Sequence, residues 1–239
     1  MSTPLDQYSL HGRTALVLGA TGRLGTACSR ILSSSGAGLI LQGRDRLKLD
    51  ALLAELPGSA GLGHSFDGLN TEDFFSTLDA LPSPDILVCA MGPFLSASLD
   101  ETATADWSSL AALNLALPGS LISHCLPPML GKGYGRILLF GSTRGDQDRG
   151  FRKTAAYAAS KAGLAVLARS IALEYGKKGV SCSVFCPGVL EGSEHNAPGG
   201  SWKALPAGDL AIEALRAALH PVALYNGAVI AADGGLDAS

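Results

Sequence analysis

Three side chains have the types and spacing of an acid–base site. Tyr157 and Lys161 stand four residues apart in Tyr157-Ala158-Ala159-Ser160-Lys161, which places both on one face of a helix. The Ala- and Leu-rich stretch from Thr154 to Gly176 predicts that helix. A phenol titrates near pH ~10, so its use as an acid or base calls for a nearby cation that stabilises phenolate. Lys161 is placed to be that cation. Upstream, Ser142 follows the apolar run Ile137-Leu138-Leu139-Phe140-Gly141, which reads as a buried parallel strand. The carboxyl end of such a strand is where open α/β sheets put their chemistry. A Tyr-x-x-x-Lys pair alone also describes a half-exposed helix face, so the reading depends on the elements around it.

Bulk properties narrow the field. At 239 residues the chain reads as one domain over 1–239 with one sizeable core. An apolar content of 47% with 16% charged residues describes a compact globular protein. A net charge of −3 with no basic block argues against a nucleic-acid partner. Apolar runs such as Ile86 to Met91 fall short of a membrane span, and Met1-Ser2-Thr3-Pro4 lacks the features of a leader. No membrane association and a cytoplasmic location are therefore expected. The five cysteines, at 28, 89, 125, 182 and 186, are odd in number and form no Cys-x-x-Cys pair. They read as reduced core thiols, with no metal site expected.

The elements that must position the chemistry alternate strand and helix. Arg13 to Leu18 predicts a strand, and Gly19-Ala20-Thr21-Gly22-Arg23-Leu24-Gly25 a turn opening a helix that runs to about Ser34. That order suits a dinucleotide: glycines admit the pyrophosphate to the backbone, and the helix amino terminus stabilises its charge. A second strand, Gly38 to Gln42, ends at Gly43-Arg44. An unphosphorylated adenosine ribose is usually held by a carboxylate at this strand end. Here Arg44 either meets a 2′-phosphate or caps the strand in solvent. We prefer the phosphorylated cofactor, NADP(H), with Arg23 as a second cation. Asp45 to Leu56 predicts a helix capped by Asp45. A weak strand, Leu62 to Phe66, leads to Asp67, which either bonds an adenine edge or caps the helix from about Thr71 to Leu81. Asp85 to Gly92 predicts a fourth strand. Such alternation, with continuously apolar strands, implies a parallel sheet covered on both faces.

Thr104 to Leu117, continuing toward Met129, predicts a long helix with Asn114 in an apolar setting. Asn114 is either a bonded core residue or part of the site. Pro118 lacks the N–H that would bond the Asn114 carbonyl, which predicts a bend and a freed carbonyl able to hold a water in line with Lys161. The charged loop from Thr143 to Lys153 should border the substrate pocket at its near end. Val180 to Cys186 predicts a strand, followed by the turn Pro187-Gly188-Val189-Leu190, a loop over 192–200, a helix over 209–219 and a last strand, Ala228 to Ala232, before Asp233-Gly234-Gly235.

Together these motifs resemble the short-chain dehydrogenase/reductase family, in the single-domain branch that includes 3-oxoacyl-thioester reductases. The resemblance spans roughly Gly12 to Gly235. It implies a Rossmann-like, doubly wound parallel sheet of about seven strands, a nicotinamide cofactor, and hydride transfer between that cofactor and a carbonyl or alcohol. Tyr157 would then be the general acid, Ser142 would bond the carbonyl oxygen, and Lys161 would bond the nicotinamide ribose while lowering the tyrosine pKa. Asn114 matches the family's relay asparagine. Pro187, Gly188 and Leu190 match the segment that fixes the carboxamide, and Ala90 and Gly92 lie in the segment that borders the adenosine side. The pattern departs from the family at four places. Arg23 stands where the middle glycine of the turn is usual, Cys89-Ala90-Met91-Gly92 replaces Asn-Asn-Ala-Gly, Ser183 replaces an asparagine, and Gly192 a threonine.

The leading expectation is an NADPH-dependent reductase of a small-molecule or thioester-carried ketone, assembled as a homodimer or homotetramer through the Ala155, Ala159, Ala162 and Ala165 face. A silent NADP(H)-binding sensor or scaffold is the alternative. An isomerase or dehydratase on the same triad is a third.

Overall fold

The computed structural model describes residues 8–56, 58–63, 71–143, 150–193 and 204–235. Asp67 and most of the charged loop before Tyr157 lie outside these residues.

The strands are β1 (Thr14–Leu18), β2 (Gly38–Gly43), β3 (Ala60–Gly63), β4 (Ile86–Cys89), β5 (Gly135–Phe140), β6 (Val180–Pro187) and β7 (Val229–Ala232). They form one parallel sheet in the order β3-β2-β1-β4-β5-β6-β7. Every residue of β4 and β5 is buried, as a strand covered on both faces requires. The chain winds outward from β1 in one direction and from β4 in the other. The carboxyl ends of these two neighbours therefore flank a crevice, the usual ligand position in such sheets.

Among the described residues seven α-helices flank the sheet: α1 (Arg23–Ser34), α2 (Arg46–Glu55), α3 (Glu72–Asp79), α4 (Thr104–Ala111), α5 (Leu117–Lys132), α6 (Ala155–Tyr175) and α7 (Ala207–Ala218). Leu24, Cys28 and Leu32 of α1 and Ala211, Ala214 and Leu215 of α7 pack with Val17, Val88 and Leu138 on one face. On the other, Phe74 of α3, Leu117 and Leu121 of α5 and Leu164 and Ala168 of α6 cover Leu16, Leu87 and Leu139. Asp45 caps α2 as expected, its side chain accepting from the Lys48 N–H.

The long helix, expected to bend at Pro118, is irregular next to that residue. Between α4 and α5 the chain widens into a π segment, Ala112–Ala116, that carries Asn114. The Leu117 N–H reaches back five residues to the Ala112 carbonyl, so the widening sits where Pro118 cannot donate. The helix then continues through Pro127 and Pro128 to Lys132 and stops at Gly133, whose φ is 62°. By length and composition alone, Thr104–Lys132 is apolar enough to cross a membrane. In the fold its Leu117, Leu121, Cys125 and Met129 are buried against the sheet. Strand β3 begins earlier than expected, at Ala60.

At the opposite edge of the sheet from the crevice, Asp85 ties several elements together. Its carboxylate accepts from the Thr14 N–H at 2.9 Å and from Lys132 Nζ at 3.0 Å, with Arg13 at 3.6 Å. The carboxylate is only 4% exposed, so removing it strands a buried donor and leaves two cations facing each other. Asp85→Ala is expected to lower stability by about 2–4 kcal/mol, read as a lower urea midpoint at unchanged slope.

Candidate active site

The end of β5 delivers Ser142, α6 delivers Tyr157 and Lys161, and the chain after β4 delivers Met91 and Gly92. These residues line one cavity of about 460 Å³, walled also by Phe94, Phe151 and Leu190. Lys161 is buried, and its ammonium donates to the carbonyls of Phe140 at 2.9 Å and Met91 at 3.4 Å. Burial pushes its pKa down to about 8, against an opposite pull from Cys89 and Cys186. The Tyr157 phenol moves the other way. Burial, reinforced by Cys186, pushes it up to about 12, whereas a lowering by Lys161 was expected. Loss of water dominates because the phenol is desolvated in the cavity while the ammonium is directed at two carbonyls.

Asn114 is fully buried. Its Nδ2 donates to the Pro93 carbonyl at 3.1 Å and to Ser160 Oγ at 3.0 Å. Ser160 Oγ in turn donates to the Tyr157 carbonyl at 2.7 Å. The amide thus pins the catalytic turn of α6 to the segment after β4. Asn114 Oδ1 and Ser142 Oγ are buried with no partner among the described residues, an arrangement that suits groups awaiting a ligand or water. Gly92, at φ 147°, is obligatory: a Cβ there would collide with Asn114 Oδ1 and lie 3.0 Å from Lys161 Nζ.

A second cavity of about 610 Å³ opens between the ends of β1, β2 and β4, lined by Gly19, Thr21, Gly22, Gln42, Gly43, Arg44, Lys48, Ala90, Gly92 and Phe94 among others. Gly19 has φ 76°, and a Cβ on it would sit 2.8 Å from Met91 Cβ; one on Gly25 would strike the Gly19 carbonyl. Gln42 fixes the turn, accepting the Gly19 N–H on Oε1 at 2.9 Å and the Ala20 N–H on its carbonyl at 2.8 Å. Gly22, which precedes helix α1, gives it no side-chain cap, so the helix amino terminus is open to an anion. These features fit a dinucleotide. A Cβ on Gly43 would lie 2.7 Å from Thr21 Cγ2, so Thr21 crowds the position where an unphosphorylated ribose usually meets a carboxylate; the nearest carboxylate lining the cavity in sequence is Asp45.

The structure corrects one assignment in this cavity. Arg23 does not line it; its guanidinium turns the other way and donates to the Gly192 carbonyl. A second cation that does line it beside Arg44 is Lys48, whose ammonium lies 3.4 Å from the Asp45 carboxylate. Pro187, Gly188, Leu24 and Leu190 border the catalytic cavity, and Thr143 Oγ1 donates to the Pro187 carbonyl at 3.0 Å, joining the ends of β5 and β6. Gly188 packs on Asp233, where a Cβ would come within 2.8 Å of the Asp233 Cα. All five cysteines are buried and free. Ser183 Oγ is buried without a partner among the described residues.

Gln42, Phe94 and Ser160 were not singled out by motif reading. Gln42 carried a signal, since it is the lone amide closing an apolar strand. Phe94 carried none; only the fold brings its ring within 4.8 Å of the Tyr157 ring, at 66°.

Comparison with known proteins agrees with this geometry. The short chain dehydrogenase family model matches residues 13–204. The chain is 29% identical over 186 residues to D-beta-hydroxybutyrate dehydrogenase of Rhizobium meliloti, covering 74% of this chain and 71% of that one. It is 30% identical over 182 residues to a 3-oxoacyl-[acyl-carrier-protein] reductase of Rickettsia bellii, covering 76% and 74%. Among solved structures, a 3-oxoacyl (acyl-carrier-protein) reductase from Agrobacterium tumefaciens with NADP bound superposes with a TM-score of 0.84 at 26% identity, covering 95% of each chain. The glycine turn, the parallel seven-stranded sheet and the Ser142, Tyr157 and Lys161 cavity accordingly belong to a member of the short-chain dehydrogenase/reductase family of oxidoreductases.

Proposed function

We propose that this chain is an NADPH-dependent reductase that converts a ketone to an alcohol, with Tyr157 as general acid. The observation that carries the reading is the convergence, in one cavity, of an unpartnered buried hydroxyl, a phenol held in its protonated form and a buried ammonium. The bound dihydronicotinamide would supply a hydride to the carbonyl carbon. Ser142 Oγ, without a partner among the described residues, would donate to the carbonyl oxygen. Tyr157 gives its proton to that same oxygen, and the Lys161 charge stabilises the phenolate left behind. Asn114 Oδ1 and Lys161 Nζ both border Gly92, which supports a water between them as the route that returns the proton.

The cofactor would be held by the glycine turn and the amino end of α1, with its 2′-phosphate beside Arg44 and Lys48. The crowding of position 43 by Thr21, with Arg44 next to it, supports NADP(H) over NAD(H). The aromatic and aliphatic wall made by Phe94, Phe151, Val189 and Leu190 supports a substrate with an apolar body, such as a 3-oxoacyl thioester or a polyketide-like ketone. The protein would work in the cytoplasm as a homodimer or homotetramer. Helix α6 presents Ala159, Ala162, Val166 and Leu173 outward, the last two 65% and 88% exposed. Ala165, expected on that face, is buried instead.

Tyr157→Phe is expected to cut NADPH oxidation with an acetoacetyl thioester by about 10³-fold; undiminished turnover in the variant would refute the role. Reduction needs Lys161 charged and Tyr157 protonated. The rate should therefore be flat below the lysine pKa and fall as pH rises through about 8, a profile measured as kcat/KM against pH. Val166→Asp with Leu173→Asp is expected to shift the protein to a smaller species in sedimentation velocity without loss of fold.

A further inference from the structure

Two of the chain's departures from its family's pattern meet in space. Arg23 occupies the place of a turn glycine, and Gly192 the place of a threonine. The Arg23 guanidinium donates to the Gly192 carbonyl, 169 residues away along the chain. Arg23 is the first residue of α1, the helix whose amino end faces the proposed diphosphate position. Gly192 lies in the segment that follows Pro187 and Gly188, and it has φ 69°, a conformation that an L side chain resists. A Cβ on Gly192 would stand only 3.3 Å from the guanidinium, so the absent side chain at 192 makes room for the arginine. The rest of that segment is tied down by backbone bonds: Glu191 N–H to the Leu205 carbonyl at 3.0 Å, Leu205 N–H to the Val189 carbonyl at 2.8 Å, and Ser193 N–H to the Leu190 carbonyl at 3.1 Å.

We propose that Arg23 is a positioning residue that fastens the glycine turn to the segment Val189 to Ser193, across the mouth of the cofactor groove. Its contribution to binding falls on the diphosphate and nicotinamide half of the cofactor. The 2′-phosphate is left to Arg44 and Lys48, which line a different cavity from Arg23. The inference rests on the cofactor reading proposed above. It makes the odd glycine turn and the odd residue at 192 one paired change. A side chain in place of the turn glycine supplies the link, and a glycine in place of threonine exposes the carbonyl that receives it.

The test uses two probes, NADPH and adenosine 2′,5′-bisphosphate, which carries the phosphorylated ribose but no diphosphate bridge or nicotinamide. Affinities are read by calorimetry for wild type, Arg23→Ala, Arg23→Lys and Arg44→Ala. Arg23→Ala is expected to weaken NADPH by about tenfold or more while leaving the bisphosphate within about twofold, and Arg23→Lys to recover part of the loss. Arg44→Ala should weaken both probes together. In the ligand-free protein, amide exchange at Glu191 and Ser193 should accelerate in Arg23→Ala while the amides of β4 and β5 stay protected.

Equal weakening of both probes by Arg23→Ala would overturn the proposal by returning Arg23 to the 2′-phosphate. Unchanged exchange at Glu191 and Ser193 would overturn it by removing the link. Should Arg23→Ala fail to melt cooperatively, Arg23→Gln carries the same two readouts. A wild type that prefers NADH would refute the cofactor choice alone. The positioning role is then scored on NADH against adenosine 5′-monophosphate, by the same ratio.

Discussion

The site depends on burying one ammonium. A lysine amine taken out of water must be surrounded by acceptors or give up its proton. Lys161 is directed at two backbone carbonyls, those of Phe140 at the end of β5 and Met91 just past β4. Neighbouring parallel strands end side by side, so the two carbonyls are brought together by sheet topology. Gly92 keeps the approach clear. Asn114 then locks α6 against the same segment through Pro93 and Ser160. Removing any of these supports would move the cation relative to the phenol one helical turn away. The balance that results is a lysine near the edge of deprotonation beside a tyrosine that keeps its proton. That is the resting state that the proposed acid role of Tyr157 requires.

The cofactor side follows from a different constraint, the room available to backbone. Gly19, Gly25 and Gly43 each stand where a Cβ would strike Met91, the Gly19 carbonyl or Thr21. Two of these glycines shape the turn. The third, Gly43, has Thr21 against it, so a side chain there would crowd the ribose end of the groove, which is the packing argument behind the proposed NADP(H).

Much of this was legible in the sequence because it is local. Tyr157 and Lys161 are fixed by helical period, Ser142 by its strand, and the glycine turn by its flanks, and the alternation of apolar strands and helices was enough to give a doubly wound sheet. The less legible features arise from contacts between distant segments. Pro118 announced an irregularity near Asn114, but a missing N–H is compatible with a bend or a π widening, and only packing on α6 and β4 selects between them. Arg23 sits in a glycine turn of the kind that meets a dinucleotide's phosphates, so charge alone suggested the 2′-phosphate. Its partner is a carbonyl 169 residues further on. Phe94 became part of the site only when the segment after β4 was laid against α6. The sign of the Tyr157 shift was missed because spacing reports the nearby cation and not the loss of water.

The measurement that tests the central claim most directly is isotope transfer. Incubating the protein with NADPH deuterated at the transferring position of C4, together with an acetoacetyl thioester, should place deuterium on the carbinol carbon, with one cofactor oxidised per alcohol formed. Cofactor that binds but keeps its deuterium across a panel of ketones, or product that forms without net NADPH consumption, would contradict the account.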